Sequence, residues 1–311
     1  MEVWTMYFFR LLKRMKGMCS MTGMMIVRNL KLFFRDKGAV FFSLLSALIL
    51  FVLYIFFLGE VQVKSLIEQG MPGTTEEGLR HFMNTWVFSG IVAITTVTTA
   101  LAAVGVFVQD KLSGRFRDFI VTPMPRWKII TAYMVSAFII SALISLVVYG
   151  ASSVYLAVTG APVLSLVQTL DVVWRILLLS LAFSGLASLV ATVISSQGAN
   201  TAINVITGTV IGFLAGVYVP LGVLPAGVAN VANSLPFAQA TVLIREPMAE
   251  TSLNAVSDVE KVRDSLADSY GFSAVVGEYT LSIPLIVAIL LGIMLLSVVL
   301  GAVRISQKIR S

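Results

Sequence analysis

Six stretches of this chain are each apolar enough, and nearly all long enough, to cross a lipid bilayer, a pattern that a water-soluble fold does not need. They are Ala39–Leu58, Trp86–Val108, Ile129–Val158, Val172–Ile194, Ala202–Val219 and Tyr279–Val303. In hydrocarbon every backbone N–H and C=O must be satisfied within the protein, so such segments are helices. Fifteen of the twenty residues of Ala39–Leu58 are Val, Ile, Leu or Phe. Each contributes roughly −0.3 to −0.6 kcal/mol near the bilayer centre, and no charge opposes insertion. Ile129–Val158 has thirty residues and is expected to tilt or protrude, whereas Ala202–Val219 is short. Charged residues make up 12% of the chain, about half the usual share of a soluble domain, which is about 25%. The one charge within a span, Arg175, lies a turn from its end and is expected to snorkel to the interface.

The net charge of +6 is sorted by loop, so it is not a nucleic-acid signal. Six spans put both termini on one side. That side collects sixteen of the 22 Lys and Arg, in residues 1–38, in the loop Gln109–Lys128 and after Val303. Twelve of the 16 carboxylates fall on the other side. By the positive-inside rule the basic side is cytoplasmic, which predicts cytoplasmic N- and C-termini. The expected setting, which the charge pattern does not itself give, is the plasma (inner) membrane of a bacterium.

Residues 1–38 read as a basic amphipathic segment with helices over Trp4–Met18 and Met24–Arg35. Ile26, Leu30, Phe33 and Phe34 alternate there with Arg28, Lys31 and Arg35, the pattern of an interfacial helix. No cleaved signal peptide is expected, because the first apolar run is of spanning length and lacks a small-residue cleavage site. Seven methionines in the first 25 residues leave the start open, Met24 being one alternative. Residues 220–278 form a re-entrant and extracytoplasmic segment. Pro220, Gly222, Pro225, Gly227 and Pro236 break its first part into short helices that dip and return. Phe237–Glu278 reads as polar and outward, with a surface helix near NAVSDVEKVRDSLADSYG. The whole chain, residues 1–311, is one all-α polytopic domain.

No catalytic constellation emerges. GxxxxGK[ST] and HExxH are absent, and one Cys and one His cannot build a cysteine–histidine site. Gly185-Leu186-Ala187-Ser188 reads as span packing rather than a nucleophile elbow. The chain is therefore read as a non-enzyme with no cofactor or metal of its own. Two patterns remain. Asn200, Asn204, Gly208, Gly212 and Gly216 recur every four residues, a small-and-polar stripe that suits packing within the chain, a dimer seam or the wall of a substrate path. The loop Gln109–Lys128 carries Phe116, Phe119 and Ile120 at helical spacing between Arg115, Arg117 and Asp118, before Pro123 and Pro125 stop the helix. It reads either as a basic anchor for the spans or as a short helix that slots into a partner's groove.

Three phrases, RNLKLFFRDKGAVFFSLL at Arg28–Leu45, QDKLSGRFRDFIVTPMPRWKIITAYMVS at Gln109–Ser136 and YVPLGVLPAGVANVANSLPFAQAT at Tyr218–Thr241, resemble the membrane subunit of an ABC transporter of the type-two exporter class. The family often has Glu where Asp110 stands and is more acidic near Arg117-Asp118. The resemblance implies a cytoplasmic coupling helix over Gly114–Val121, with Gly114, Arg115, Phe116, Arg117, Asp118, Phe119 and Ile120 meeting the partner. It makes Met24–Lys37 an interfacial connecting helix. It also implies two permease subunits, alike or different, with two copies of a separate ATP-binding subunit that holds the ATP and magnesium. Outward cargo is implied: drugs (hence antibiotic resistance by efflux), peptide antibiotics, lipids or lipid-linked glycans. An ion-gradient-driven secondary transporter is the alternative, though its spans should hold ionisable groups. A lipid-modifying enzyme lacks a reactive set.

Overall fold

The computed structural model describes residues 21–116 and 125–308. The segment Trp4–Met18 and most of the expected coupling helix, including Arg117, Asp118, Phe119 and Ile120, lie outside them. The described chain is mostly helical, and five helical segments are long and apolar enough to span a membrane: Ala47–Glu68, Glu76–Leu112, Trp127–Val158, Leu166–Val193 and Ile283–Gly301.

Helix α1, residues 21–35, buries Met25, Asn29 and Phe33, one residue per turn, and exposes Met24, Val27 and Phe34. Asp36 ends it and caps the next helix, its Oδ1 accepting the Ala39 N–H at 2.9 Å. Helix α2, Lys37–Leu53, runs through a π-helical turn at Tyr54–Leu58 into α3, Gly59–Glu68. Ser43, Ala47, Leu50 and Tyr54 form its buried stripe, while Phe41, Phe42, Leu48, Val52, Phe56 and Phe57 stay exposed, as a lipid-facing helix requires.

Helix α4, Glu76–Ala103, is the central rod, capped by Thr75. It begins ten residues ahead of the expected span, because its first turns are amphipathic and close the far end of the bundle. It is buried almost throughout and packs against α2, α3 and four later helices. Thr95, Thr96, Thr98 and Thr99 all donate to carbonyls in the preceding turn, and Thr99 also reaches Ser141. The helix breaks at Val104 and continues as α5, Gly105–Leu112, which ends at Gly114 with φ +81°.

Pro125 leads into α6, Arg126–Val158. Helix α7, Leu166–Val193, starts six residues before the expected boundary, because Ser165 and Gln168 form a capping box. Helix α8, Gln197–Leu214, ends five residues early. The chain closes there in a Schellman turn: Gly216 adopts φ +64°, Val217 N–H donates to Gly212 O, and Gly216 N–H to Phe213 O. With Gln197, Asn200 and Asn204 in only 18 residues, α8 is too polar to count among the five apolar spans.

Beyond it come a 3₁₀ turn at Leu221–Val223, α9 at Ala226–Ser234 and α10 at Pro236–Asn254, each entered through a proline or its neighbour. Phe237–Glu278, read as a polar segment, opens instead on a largely buried helix. That helix is α10, which packs between α4 and α7 and buries even Arg245. Helix α11, Glu260–Ser269, is the expected surface helix. A small antiparallel hairpin follows, β1 at Ala274–Val276 and β2 at Tyr279–Leu281, with Ala274 paired to Leu281. The all-α reading omits it. Gly277, with φ +65°, is the first of two turn residues, as a type II′ hairpin demands. The last helix, α12, Ile283–Lys308, therefore starts four residues after Tyr279.

Candidate coupling site

At the end of the bundle where α1, α5 and the start of α6 meet, one carboxylate gathers three elements. Asp110 sits on α5 with 1% of its surface exposed. Arg28 of α1 donates to it twice, Nη1 to Oδ2 at 2.7 Å and Nη2 to Oδ1 at 2.8 Å. Tyr133 of α6 donates its hydroxyl to Oδ2 at 2.7 Å. Arg115, just past Gly114, lies 3.7 Å from Oδ1. A buried carboxylate is costly unless its lone pairs are filled, and bidentate arginine fills them with fixed geometry. The pairing raises the Arg28 pKa, chiefly through the hydrogen bonds to Asp110 and against the opposing effect of burial. Beside it, Asn29 accepts from Arg28 at 3.0 Å and donates to Ser136 at 3.2 Å.

The neighbouring residue faces the other way. Lys111 Nζ donates to the carbonyls of Ala191, Thr192 and Ile194, closing the C-terminus of α7. A cation there also suits the helix dipole. Adjacent opposite charges thus bind α5 to α1 and α6 on one side and to α7 on the other. Phe116 rests edge-on against Phe107 at 5.4 Å between ring centres, and Phe107 meets Tyr133 at 5.0 Å. Of the expected partner-coupling residues, Gly114, Arg115 and Phe116 are therefore built onto this hub.

The stripe on α8 is in part taken up within the chain. Asn200 is buried, and its amide nitrogen lies near Gly105. A Cβ on Gly212 would stand 2.2 Å from the Tyr218 ring, and one on Gly216 would stand 2.5 Å from Leu221. Asn204 donates to Asn200 O, and Asn204 and Gly208 are half-buried. The opposite face of α8, with Ile206, Val210 and Phe213, is exposed.

At the far end α7 is held again. Arg175 does not snorkel: it is buried, pairs with Asp171 at 2.8 Å and with Glu246 of α10, and donates to Leu243 O at 2.9 Å. Next to Glu246, Arg245 points away from α7. Its Nη1 donates to Tyr270 O at 2.7 Å and Gly271 O at 2.9 Å, its Nη2 to Gly216 O at 3.2 Å, and its guanidinium lies over the Trp86 ring.

The profile of the ABC-2 type transporter family matches residues 22–248. The chain belongs to that family. It is a multi-pass membrane protein and the permease component of an ABC transporter, a class in which the ATP-binding partner is a separate subunit. None of the curated proteins matches the chain. The matched stretch runs from α1 into α10, so it includes both the Asp110 hub of this ABC-2 permease and the Arg175–Glu246 contact. Sequence reasoning singled out the loop but not Arg28, Lys111 or Tyr133. Two signals were available: an acid at Asp110 where an apolar run gives way to a basic loop, and a polar Asn29 set between Met25 and Phe33 on the apolar face of α1.

Proposed function

We propose that this chain is the permease of an ATP-driven exporter, working as a homo- or heterodimer with two copies of an ATP-binding subunit. The cargo is a drug, a peptide antibiotic, a lipid or a lipid-linked glycan. In this reading six helices span the plasma (inner) membrane of a bacterium, with α8 as the fifth and short span and both termini cytoplasmic. The turn and helix at Leu221–Ser234 re-enter from outside. The partner subunit grips Gly114, Arg115, Phe116, Arg117, Asp118, Phe119 and Ile120, and the exposed apolar face of α8 is the better candidate for the permease–permease seam.

The observation that carries the reading is the placement of Asp110. A push on the loop at Arg115 and Phe116 reaches a buried ion pair that joins α1, α5 and α6, with Lys111 passing the same displacement to α7. Helix α7 then links the loop to α10 through Arg175 and Glu246. A loop that merely oriented the spans would need none of these buried contacts.

The test is coupling. Arg115→Glu and Phe116→Ala, made in the assembled transporter in proteoliposomes, should cut transport at least tenfold while the ATPase subunits still bind and hydrolyse nucleotide. Transport at the wild-type rate in both variants would remove the coupling role. Transport that survives an inactivated ATPase would return the secondary-transporter reading.

A further inference from the structure

The far end of the bundle holds a cavity of about 590 Å³ between the π-turn, α4 and the end of α6. Its three walls share one gradient. Along α2 and α3 the lining passes from Tyr54 and Ile55 to Glu60. Along α4, followed toward its N-terminus, it passes from Asn84 to Arg80, Glu77 and Glu76. On α6 it passes from Tyr155 to Thr159. The floor is aromatic and apolar, and the rim is charged.

The floor is constructed. The π-turn Tyr54–Leu58 widens the helix where the cavity opens, and such turns recur at functional sites. Tyr54 is held by its hydroxyl on Asn84 Oδ1 at 3.1 Å. Gly59 leaves room for the Tyr54 ring, since a Cβ there would lie 3.0 Å from Tyr54 O and 3.3 Å from the ring. Tyr155 is fixed between Phe51 and Phe88.

The rim is acidic in balance. Three carboxylates, one guanidinium and the His81 ring line the cavity, and His81 Nε2 is taken up by Thr159 O at 3.0 Å. Arg80 is already shared between Glu60 at 2.7 Å and Glu76 at 2.9 Å. Lys64 reaches Glu60 from outside at 3.9 Å and does not line the cavity. Glu76 and Glu77 also offset the positive end of the α4 dipole. Glu77 makes no ion pair among the described residues, so its exposed carboxylate is open to a ligand. A phosphate would meet the carboxylates, and a neutral lipid would leave them unmatched.

We propose that this cavity is a binding site for an amphipathic organic cation, its charge at the carboxylate rim and its apolar body against Tyr54 and Tyr155. The proposal deepens the exporter reading by naming a cargo class and rests on it only for what the site serves. Binding is measured without ATP or the partner subunit, so a working exporter that fails to bind loses this site alone.

The experiment uses the full chain in phosphatidylcholine nanodiscs, with empty discs subtracted. Two probes of one shape and opposite charge are compared, radiolabelled tetraphenylphosphonium and tetraphenylborate. Saturable binding is expected for the cation only, weakening with salt. A unit charge at about 5–6 Å in water is worth about threefold in affinity, so Glu77→Gln should weaken the cation about threefold and Glu77→Lys about tenfold. Glu77 is exposed, so neither change threatens the fold. Ile55→Trp, at an exposed lining position, should occlude the floor and abolish saturable binding. Equal binding of both probes, or cation affinity unmoved by Glu77→Lys, would overturn the proposal.

Discussion

Asp110 shows how one buried charge can be made tolerable. Its two oxygens meet the two terminal Arg28 nitrogens and the Tyr133 hydroxyl, and only 1% of its surface stays exposed. Removing one partner of such a pair is more damaging than the pair's net worth, because the other charge is left behind. Arg28 is 30% exposed and recovers part of its hydration. Asp110→Asn should therefore cost about 2–3 kcal/mol, toward the low side of buried-pair losses. In the double variant with Arg28→Met, a coupling energy of about 1–2 kcal/mol is expected from denaturation midpoints in detergent. Strict additivity would mean that the contact carries no energy of its own. The pair was out of reach of the sequence because its residues are 82 positions apart, and nothing local to Arg28 distinguishes it from Lys31 or Arg35. Gly114, Arg115 and Phe116 were legible for the opposite reason: one short stretch between two apolar runs holds them all.

At the scale of elements, apolar runs fixed the helices and capping fixed their ends. The run Val172–Ile194 locates α7, but Ser165 and Gln168 set its start. Ala202–Val219 locates α8, but the Schellman turn at Gly216 ends it. The hairpin and α10 escaped for different reasons. Three-residue strands carry too little periodicity to register, and α10 looks polar because Arg245 and Glu246 are satisfied only by distant groups. Close approach of main chains is equally hidden. A Cβ on Gly222 would stand 2.6 Å from both Asp268 O and Ser269 Cα, so the 3₁₀ turn sits directly on the end of α11. Gly222→Ala should lift that turn away at a cost of about 1–3 kcal/mol, the range for overpacking. Faster amide exchange confined to the turn and the C-terminal end of α11 would verify it. Unchanged exchange would mean that the two elements separate freely.

At the scale of the whole molecule, α7 is gripped by charge at two places among the described residues: Lys111 holds its last carbonyls and Glu246 holds Arg175 in its first half. The grips at Arg175 and at Ala191–Ile194 stand 16 or more residues apart along it. At 1.5 Å per residue they are tens of ångströms apart, too far for their effects on stability to couple directly. Work passed along a rigid rod behaves otherwise, because cutting either end already disconnects it. Lys111→Met and Glu246→Gln should each lower stability in detergent by about 1–2 kcal/mol, and the double variant should lose the sum to within about 0.5 kcal/mol. Transport per ATP should follow a different rule: each single change lowers it several-fold, and the second adds little to the first. If the transport losses instead multiply as independent events do, α7 is only scaffolding, and the push from the loop must reach the far end through α4, whose buried threonines contact α6 directly.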